Sequence, residues 1–235
     1  SSEAIHTRLH KGLPLVSFDE LTLDWTLVQE TFAKVYAAFA RYPQLFGEIP
    51  AEPKLETGRL LTKKAAKAWF TGKELTLLIP EGVSKNLIQT MIQATLQPFL
   101  SGYADALINS VEQESWRRGY CPICGGSPDL AFMEKEYGAR WLLCSRCDAE
   151  WVFQRLECPY CENRDQSTLS FFTDEKELYR LYVCESCKCY LKTVDLRKTE
   201  AEILLPLERL YTLDLDSQAR EHGYSSCQRP VAQKK

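Results

Sequence analysis

The sequence predicts an α+β protein with a helical N-terminal domain, two tandem four-cysteine metal modules and a short C-terminal helix. The first 117 residues contain no cysteine, and their apolar residues recur at helical spacing. Eight of the ten cysteines fall in four Cys-x-x-Cys pairs within the next 70 or so residues, and one more helical stretch follows them. The predicted domains are therefore residues 1–117, 118–156, 157–199 and 200–235.

The clearest helix of the N-terminal domain begins after Asp24, which can cap it, and ends before Tyr42-Pro43. Five apolar residues recur at helical spacing along it: Val28, Phe32, Val35, Tyr36 and Phe39. This pattern predicts an amphipathic helix whose apolar side packs into a helical core.

A second helix is predicted after Ser84, and its apolar side comprises Leu87, Ile88, Met91, Ile92 and Leu96. Pro98 either kinks this helix or starts a third one that reaches Trp116. The stretch ELTLLIP, residues 74–80, fits a strand or a buried helical turn, and the sequence does not decide between them.

The cysteine pairs follow a repeated C-x2-C-x(about 20)-C-x2-C pattern, the spacing of tetrahedral four-cysteine metal sites such as zinc ribbons. A tight turn presents two sulfurs to one ion, and a hairpin of about 20 residues brings a second turn to the opposite side. Sequential grouping needs only local hairpins, so its closure costs less entropy than crossed pairing. The predicted ligands are Cys121, Cys124, Cys144 and Cys147 for one ion, and Cys158, Cys161, Cys184 and Cys187 for another. Zinc and iron both accept such sites, and the sequence does not choose between them.

The residues between the turns favour β-hairpins. The first module has ARWLLC and AEWVFQRLE with a turn at Tyr137-Gly138, and the second has STLSFF and LYRLYV on either side of TDEKE. Gly125 and Gly126 can take positive φ and help the first turn direct its N–H groups toward the thiolates. Six aromatic residues are expected mainly to pack the modules: Trp141, Trp151, Phe153, Phe171, Tyr179 and Tyr182.

Two other uses of the cysteines compete with metal binding. A thiol-disulfide oxidoreductase would use Cys158 and Cys161, but such a pair needs a helix start after it, and ENRDQST favours turns. Disulfides are disfavoured because the N-terminal stretch is not a signal peptide, so a reduced, cytoplasmic location is expected. A structural metal site is the favoured interpretation, with oxidative metal release as a switch the next alternative.

Composition and motifs limit the function classes. The net charge is −3, and four thiolates on a divalent ion would make the modules more acidic, which disfavours a nucleic-acid-binding zinc-ribbon protein. No stretch is long and apolar enough for membrane insertion. The sequence lacks the common nucleotide-binding and hydrolase motifs, and a four-cysteine site has no open position for water, so the protein is not expected to be an enzyme. The three histidines, His6, His10 and His222, lie far in sequence from the two four-cysteine modules, and His222 is interpreted as a helix-end or surface residue.

The last predicted helix runs from Pro206 to Gly223. Leu207, Leu210 and Tyr211 are its candidate residues for docking onto the rest of the protein.

The cysteine region resembles the formate dehydrogenase accessory proteins, the FdhE family. The matching motifs are GYCPICGGSPDL, ARWLLCSRCDAEWVFQRLECPYCEN and CESCKCYLKTVDL, and LERLYTLDLDSQAREHGY is similar to the family's C-terminal segment. The resemblance covers about residues 119–224. The N-terminal half matches only in general helical character and is shorter than is usual in the family.

The resemblance implies a cytoplasmic accessory or chaperone protein needed for maturation of molybdenum- or tungsten-dependent formate dehydrogenase, with the catalytic subunit as its partner. It also implies rubredoxin-like iron binding, since the eight cysteines from Cys121 to Cys187 match the family's ligand positions. Cys189 and Cys227 depart from the pattern. Cys189 is near enough to Cys187 to compete as a ligand, but a buried small residue is the favoured interpretation.

Overall fold

The computed structural model describes residues 2–47, 49, 61–75 and 83–228. Within them lie seven α-helices: α1 (Ser2–His10), α2 (Trp25–Ala40), α3 (Pro43–Phe46), α4 (Lys63–Phe70), α5 (Lys85–Leu107), α6 (Leu205–Tyr211) and α7 (Leu213–Glu221). Six strands follow α5: β1 (Pro128–Met133), β2 (Arg140–Cys144), β3 (Glu150–Phe153), β4 (Leu169–Thr173), β5 (Tyr179–Cys184) and β6 (Cys189–Asp195). The predicted α+β class is confirmed.

The chain divides into two compact units, Val16–Gly102 and the combination of Ser1–Leu15 with Tyr103–Lys235. This division differs from the predicted boundaries, because residues 1–15 belong with the cysteine-bearing unit. Two hydrogen bonds fix them there: Leu15 N–H donates to the carbonyl of Pro122 at 2.8 Å, and the Tyr120 hydroxyl donates to the carbonyl of Gly12 at 2.7 Å.

The helical unit forms as its periodicity predicts. Asp24 caps α2 by accepting hydrogen bonds from the N–H groups of Thr26 and Leu27, and Ser84 accepts one from Leu87 at the start of α5. The predicted apolar sides supply buried residues, including Val28, Phe32, Tyr36, Ile88, Met91, Ile92 and Leu96. The described helices include none long and apolar enough to cross a membrane.

Pro98 lies inside α5, which continues unbroken to Leu107. A third helix from Pro98 to Trp116 is therefore wrong, and a short 3-10 turn at Ile108–Ser110 ends the helical run instead. Helix α1 was not predicted. Most of ELTLLIP, residues 76–80, lies outside the described residues.

The two cysteine modules share one six-stranded sheet in the order β3-β2-β1-β6-β5-β4. Each module contributes an antiparallel meander, and the parallel pairing of β1 with β6 joins the two. If the two modules stayed separate, β1 and β6 would each be an edge strand with unpaired backbone N–H and C=O groups. The pairing of β1 with β6 satisfies these groups.

The C-terminal helices cover one face of this sheet. Leu205 of α6 packs against the cluster Leu130, Phe132, Leu143 and Val194, and Ala219 of α7 packs with Leu181, Val183 and Tyr190. The single helix predicted from Pro206 to Gly223 is two helices that meet at Thr212.

The predicted docking residues of this segment are wrong. Leu207, Leu210 and Tyr211 are 44%, 64% and 70% exposed, whereas Glu208 and Thr212 are buried. Apart from Leu205, helix α6 docks through polar contacts: the Tyr179 hydroxyl donates to Glu208 Oε2 at 2.9 Å, and Arg209 donates to Asp129 in the first cysteine module.

Candidate metal centres

The four cysteine pairs adopt one backbone structure. The residue after each second cysteine has positive φ: Gly125 (73°), Asp148 (56°), Glu162 (62°) and Lys188 (56°). Its N–H donates to the carbonyl of the first cysteine of the pair, at distances between 2.8 and 3.3 Å. Only the glycine signalled this conformation in the sequence, since a left-handed Asp, Glu or Lys has no comparable signature.

These turns direct backbone N–H groups at sulfur. The N–H of Ile123 donates to Cys121 Sγ at 3.3 Å, and the N–H of Arg146 donates to Cys144 Sγ at 3.4 Å. Such bonds stabilise a thiolate over a thiol.

The sulfurs lie in the predicted groups. Within each group of four, all Sγ atoms lie within 4.8 Å of one another. The contacts measure 3.6 Å for Cys121–Cys147 and 3.5 Å for Cys124–Cys144 in the first group, and 3.7 Å for Cys158–Cys187 and for Cys161–Cys184 in the second. All eight are free cysteines.

This geometry fits a tetrahedral metal ion. A metal–sulfur distance of about 2.3 Å places tetrahedral sulfurs about 3.8 Å apart, close to the observed contacts. Four thiolate donors suit either zinc or ferrous iron. Each group can therefore hold one metal ion, and that these cysteines do so remains a prediction.

The first group is the more enclosed. All four of its cysteines are buried, whereas in the second group Cys161 is exposed and Cys187 is half-buried. Burial raises the pKa of Cys121 well above its ordinary value, while hydrogen bonds, the largest from Cys121, lower that of Cys124. Without metal the group thus holds protons that a bound ion would displace.

The Cys158–Cys161 pair does not have the electrostatics of a redox pair. Burial raises the pKa of Cys158 to about 11, and no α-helix follows Cys161 in the chain segment described up to Asp195. A catalytic first cysteine needs the opposite shift. Burial also raises the pKa of Cys184, but hydrogen bonds from the N–H groups of Cys187 and Ser186 outweigh it and bring the pKa to about 7.

At two glycines near the cysteines the backbone lies so close to a neighbouring group that a side chain would not fit. A Cβ on Gly126 would lie 2.9 Å from Cys144 Sγ, and one on Gly119 would lie 2.0 Å from the carbonyl oxygen of Pro159. The Tyr160 hydroxyl donates to the carbonyl of Pro128 at 3.1 Å, which ties the third cysteine turn to the first module.

Arg209 of α6 braces the first centre. It donates to Asp129 at 2.8 Å, to Asp148 at 2.6 Å and to the carbonyl of Cys144 at 2.8 Å. Asp148 follows Cys147 directly, so one guanidinium joins the Cys144–Cys147 turn to strand β1, which contains Asp129. No periodicity in the sequence indicated this role.

Cys189 and Cys227 form a disulfide with a Cα–Cα distance of 5.7 Å. Cys189 is therefore neither a ligand of the second group nor merely a buried small residue. The disulfide also departs from the expectation that this chain contains reduced cysteines only. Two residues before Cys227, the carbonyl of Ser225 accepts a hydrogen bond from Tyr190 N–H. The disulfide and this hydrogen bond together hold residues 225–227 beside β6.

The aromatic predictions hold in part. Trp151 and Phe153 are buried, but Phe171 is 46% exposed and lines a cavity. His222 lies at the end of α7, where its Nδ1 contacts the carbonyl of Gln218 at 2.8 Å, and it is exposed as predicted.

Residues 120–155, which include the first cysteine group, match the family model "FdhE, central domain". A protein named "Protein FdhE homolog" from Aquifex aeolicus is 28% identical over 232 residues, with 97% of this chain and 77% of the relative covered. "Protein FdhE" of Escherichia coli O127:H6 is 30% identical over 111 residues, which cover 46% of this chain and 36% of that protein. A Shewanella relative is also 30% identical, over 45% of its own length. The chain thus matches less than half of the Shewanella and Escherichia coli proteins.

The structure of the FdhE protein from Pseudomonas aeruginosa is also similar. It superposes with a TM-score of 0.60 at 26% identity, over 98% of this chain and 78% of that one.

The fold and the two cysteine groups define a class of α+β protein in which paired four-cysteine modules share one sheet and the chain also contains a separate helical unit. Within that class, the motif resemblance, the family model and the structural match agree. Over nearly its whole length the chain is similar to FdhE proteins.

Proposed function

We propose that this protein is a cytoplasmic accessory protein for formate dehydrogenase maturation, and that it acts by binding the catalytic subunit rather than by catalysis. The observation that carries the proposal is the FdhE-type match along nearly the whole chain, together with two cysteine groups of closed, structural type. Four thiolates fill a tetrahedral ion, so no position is left for activating water.

The two ions, zinc or iron, would serve to hold the sheet. A module of about 40 residues has too little apolar burial to be stable alone, and a structural metal contributes on the order of 10 kcal/mol to its folding. The shared sheet then forms a rigid base for the C-terminal helices.

Those helices offer a surface for the partner. Leu204, Leu207, Leu210, Tyr211 and Leu213 are each between 44% and 70% exposed and lie within ten residues of sequence. An exposed cluster of large apolar side chains is typical of a protein-binding surface. In the described part of the chain these side chains stay exposed, because α6 contacts the sheet through Leu205, Glu208 and Arg209 instead.

The test is co-purification of the catalytic subunit with the full-length chain, together with formate oxidation by the subunit that it has matured. The double variant Leu210→Asp/Tyr211→Asp should reduce recovery of the subunit at least about tenfold, because burying a charge in an apolar contact is costly. The matched control is Leu45→Asp/Tyr137→Asp, which changes a leucine and a tyrosine that are 71% and 86% exposed elsewhere.

Equal recovery of the subunit with both double variants would show that α6 is not part of the interface. Failure of the unmodified chain to bind or support any formate dehydrogenase subunit would remove the proposed function itself.

A further inference from the structure

A cavity of about 260 Å³ lies beside the second cysteine group. Its lining includes Arg140, Arg180, Phe171, Tyr182 and Leu191, with Arg155 and Cys158 also contributing. The register places Arg140 and Arg180 on one face of the sheet. Arg140 is joined through Met133 to Asp195 of β6, and Arg180 pairs with Thr193 of the same strand. Thr193 and Asp195 are two residues apart, so they and their partners point to the same side. This face is opposite the one that Leu205 and Ala219 cover.

Arg140 is a buried cation without an ion-pair partner in the described part of the chain. It is 3% exposed, and its Nη2 donates to the carbonyls of Gln154 and Glu157. Its Nε has no hydrogen-bond acceptor. Burial lowers the pKa of Arg140 to about 10, so the guanidinium stays charged at neutral pH. A buried charge of this kind is costly unless an anion accompanies it.

Arg180 has the same unused donor. Its Nη2 lies 2.6 Å from Asp195, but its Nε is buried with no acceptor. Asp195 also accepts from Arg197, so one carboxylate is shared by two guanidinium groups. The Glu157 carboxylate is engaged by Arg164 at 2.8 Å. The carboxylates at this face therefore do not by themselves balance its arginines, and the other nearby anionic group is the cysteine group, whose Cys158 also lines the cavity.

The remaining walls are apolar and aromatic. Arg180 lies 4.9 Å from the ring centroid of Phe171, and Arg140 lies 5.8 Å from that of Tyr182. The two rings are themselves 5.2 Å apart. A cavity of roughly 150 Å³ holds a benzene ring, so 260 Å³ has room for a ring with a charged group attached.

We propose that this cavity binds a carboxylate or similar oxyanion carried on a flat apolar body, with Arg140 and Arg180 as the anion's donors and Phe171 and Tyr182 as the walls. A small aromatic acid and the C-terminal residue of a peptide both have this chemistry. The inference stands independently of the function proposed above.

The test is calorimetric titration of the metal-loaded, full-length chain with benzoate, and with benzamide as its uncharged counterpart. Benzoate should bind saturably and at least about tenfold more tightly than benzamide, because hydrogen bonds from a guanidinium to a charged acceptor are the strong ones. Further titrations identify which kind of molecule supplies the anion. They use phenyl phosphate and a tripeptide that ends in Phe, with its C-terminus either free or amidated. Preference for the free peptide indicates a chain end, and preference for benzoate or phenyl phosphate indicates a small molecule.

Phe171→Ala should weaken benzoate binding several-fold without loss of metal, because Phe171 is already half exposed. The matched control is Phe172→Ala, since Phe172 is 48% exposed and points to the opposite side of β4. Arg140→Met should abolish the preference for benzoate over benzamide.

Three outcomes of the binding measurements overturn the proposal: no saturable binding of any anion, equal affinity for benzoate and benzamide, or equal effects of Phe171→Ala and Phe172→Ala. Metal loss in Arg140→Met with unchanged anion binding also overturns it, because the arginine then serves only to balance the charge of the cysteine group.

Discussion

Individual residues set the geometry of the cysteine groups through backbone conformation as much as through sulfur. The residues that follow the second cysteine of each pair adopt the left-handed conformation that closes the turn, although three of the four are not glycine. The strain of those three residues is offset by the hydrogen bonds of the turn and, in a loaded site, by the metal.

Gly126→Ala should damage the first centre. The added methyl group would lie 2.9 Å from Cys144 Sγ and must displace it or Arg146. We expect the free energy of unfolding to fall by about 1–3 kcal/mol and the metal content to fall toward one ion per chain.

Gly102→Ala is the matched control for this prediction. Gly102 lies inside α5 and an added Cβ there meets nothing within 4 Å, so alanine should be neutral or slightly stabilising. Chemical denaturation and metal analysis of both variants measure the difference. Equal stability of the two would show that the space beside Cys144 does not constrain the centre.

At the scale of elements, the sequence predicted the helices and hairpins better than their assembly. Asp24 and Ser84 signalled their helices because caps and apolar spacing are local properties. The pairing of β1 with β6 joins residues about 60 positions apart, and no local pattern encodes it. The docking of α6 was missed for a related reason: Arg209 and Glu208 looked like surface charges, and their partners Asp129 and Tyr179 lie in distant strands.

Arg209→Gln should release α6 from the first cysteine module. It removes the partner of Asp129 and Asp148, and breaking a buried ion pair typically costs about 3–5 kcal/mol. Because Arg209 is partly accessible, with 16% of its side chain exposed, we expect a loss of about 2–3 kcal/mol. Arg220→Gln on α7 is the control, since Arg220 is exposed and donates to Ser217, three residues earlier on the same helix. If both variants unfold at the same denaturant concentration, Arg209 does not brace the module.

Cys227→Ser should destabilise the protein only under oxidising conditions. The disulfide to Cys189 closes a loop of 38 residues, which corresponds to roughly 3–4 kcal/mol in the chain-entropy account. In the presence of a reductant the variant and the unmodified protein should have the same stability, and both should retain their metal because neither cysteine belongs to a four-cysteine group. Metal loss on replacing Cys227 would instead make this bridge part of the second centre.

For the whole molecule, spacing alone predicted how the eight cysteines group, because tetrahedral coordination dictates that spacing. Spacing could not reveal that the two groups share a sheet, that one is more exposed than the other, or that a charged cavity lies beside the second. These properties depend on the order of the strands in the sheet, and on side chains such as Arg140 and Arg180, which no sequence pattern singles out.

We propose that the chain binds two structural metal ions, one in each four-cysteine group. Native mass spectrometry combined with elemental analysis of the unmodified protein, Cys121→Ser and Cys184→Ser tests it most directly. We predict two ions of zinc or iron in the unmodified protein and one in each single variant, with a lower midpoint of unfolding in both variants. Two ions retained in either variant at an unchanged midpoint, or fewer than two in the unmodified protein after reconstitution with either metal, would contradict the account.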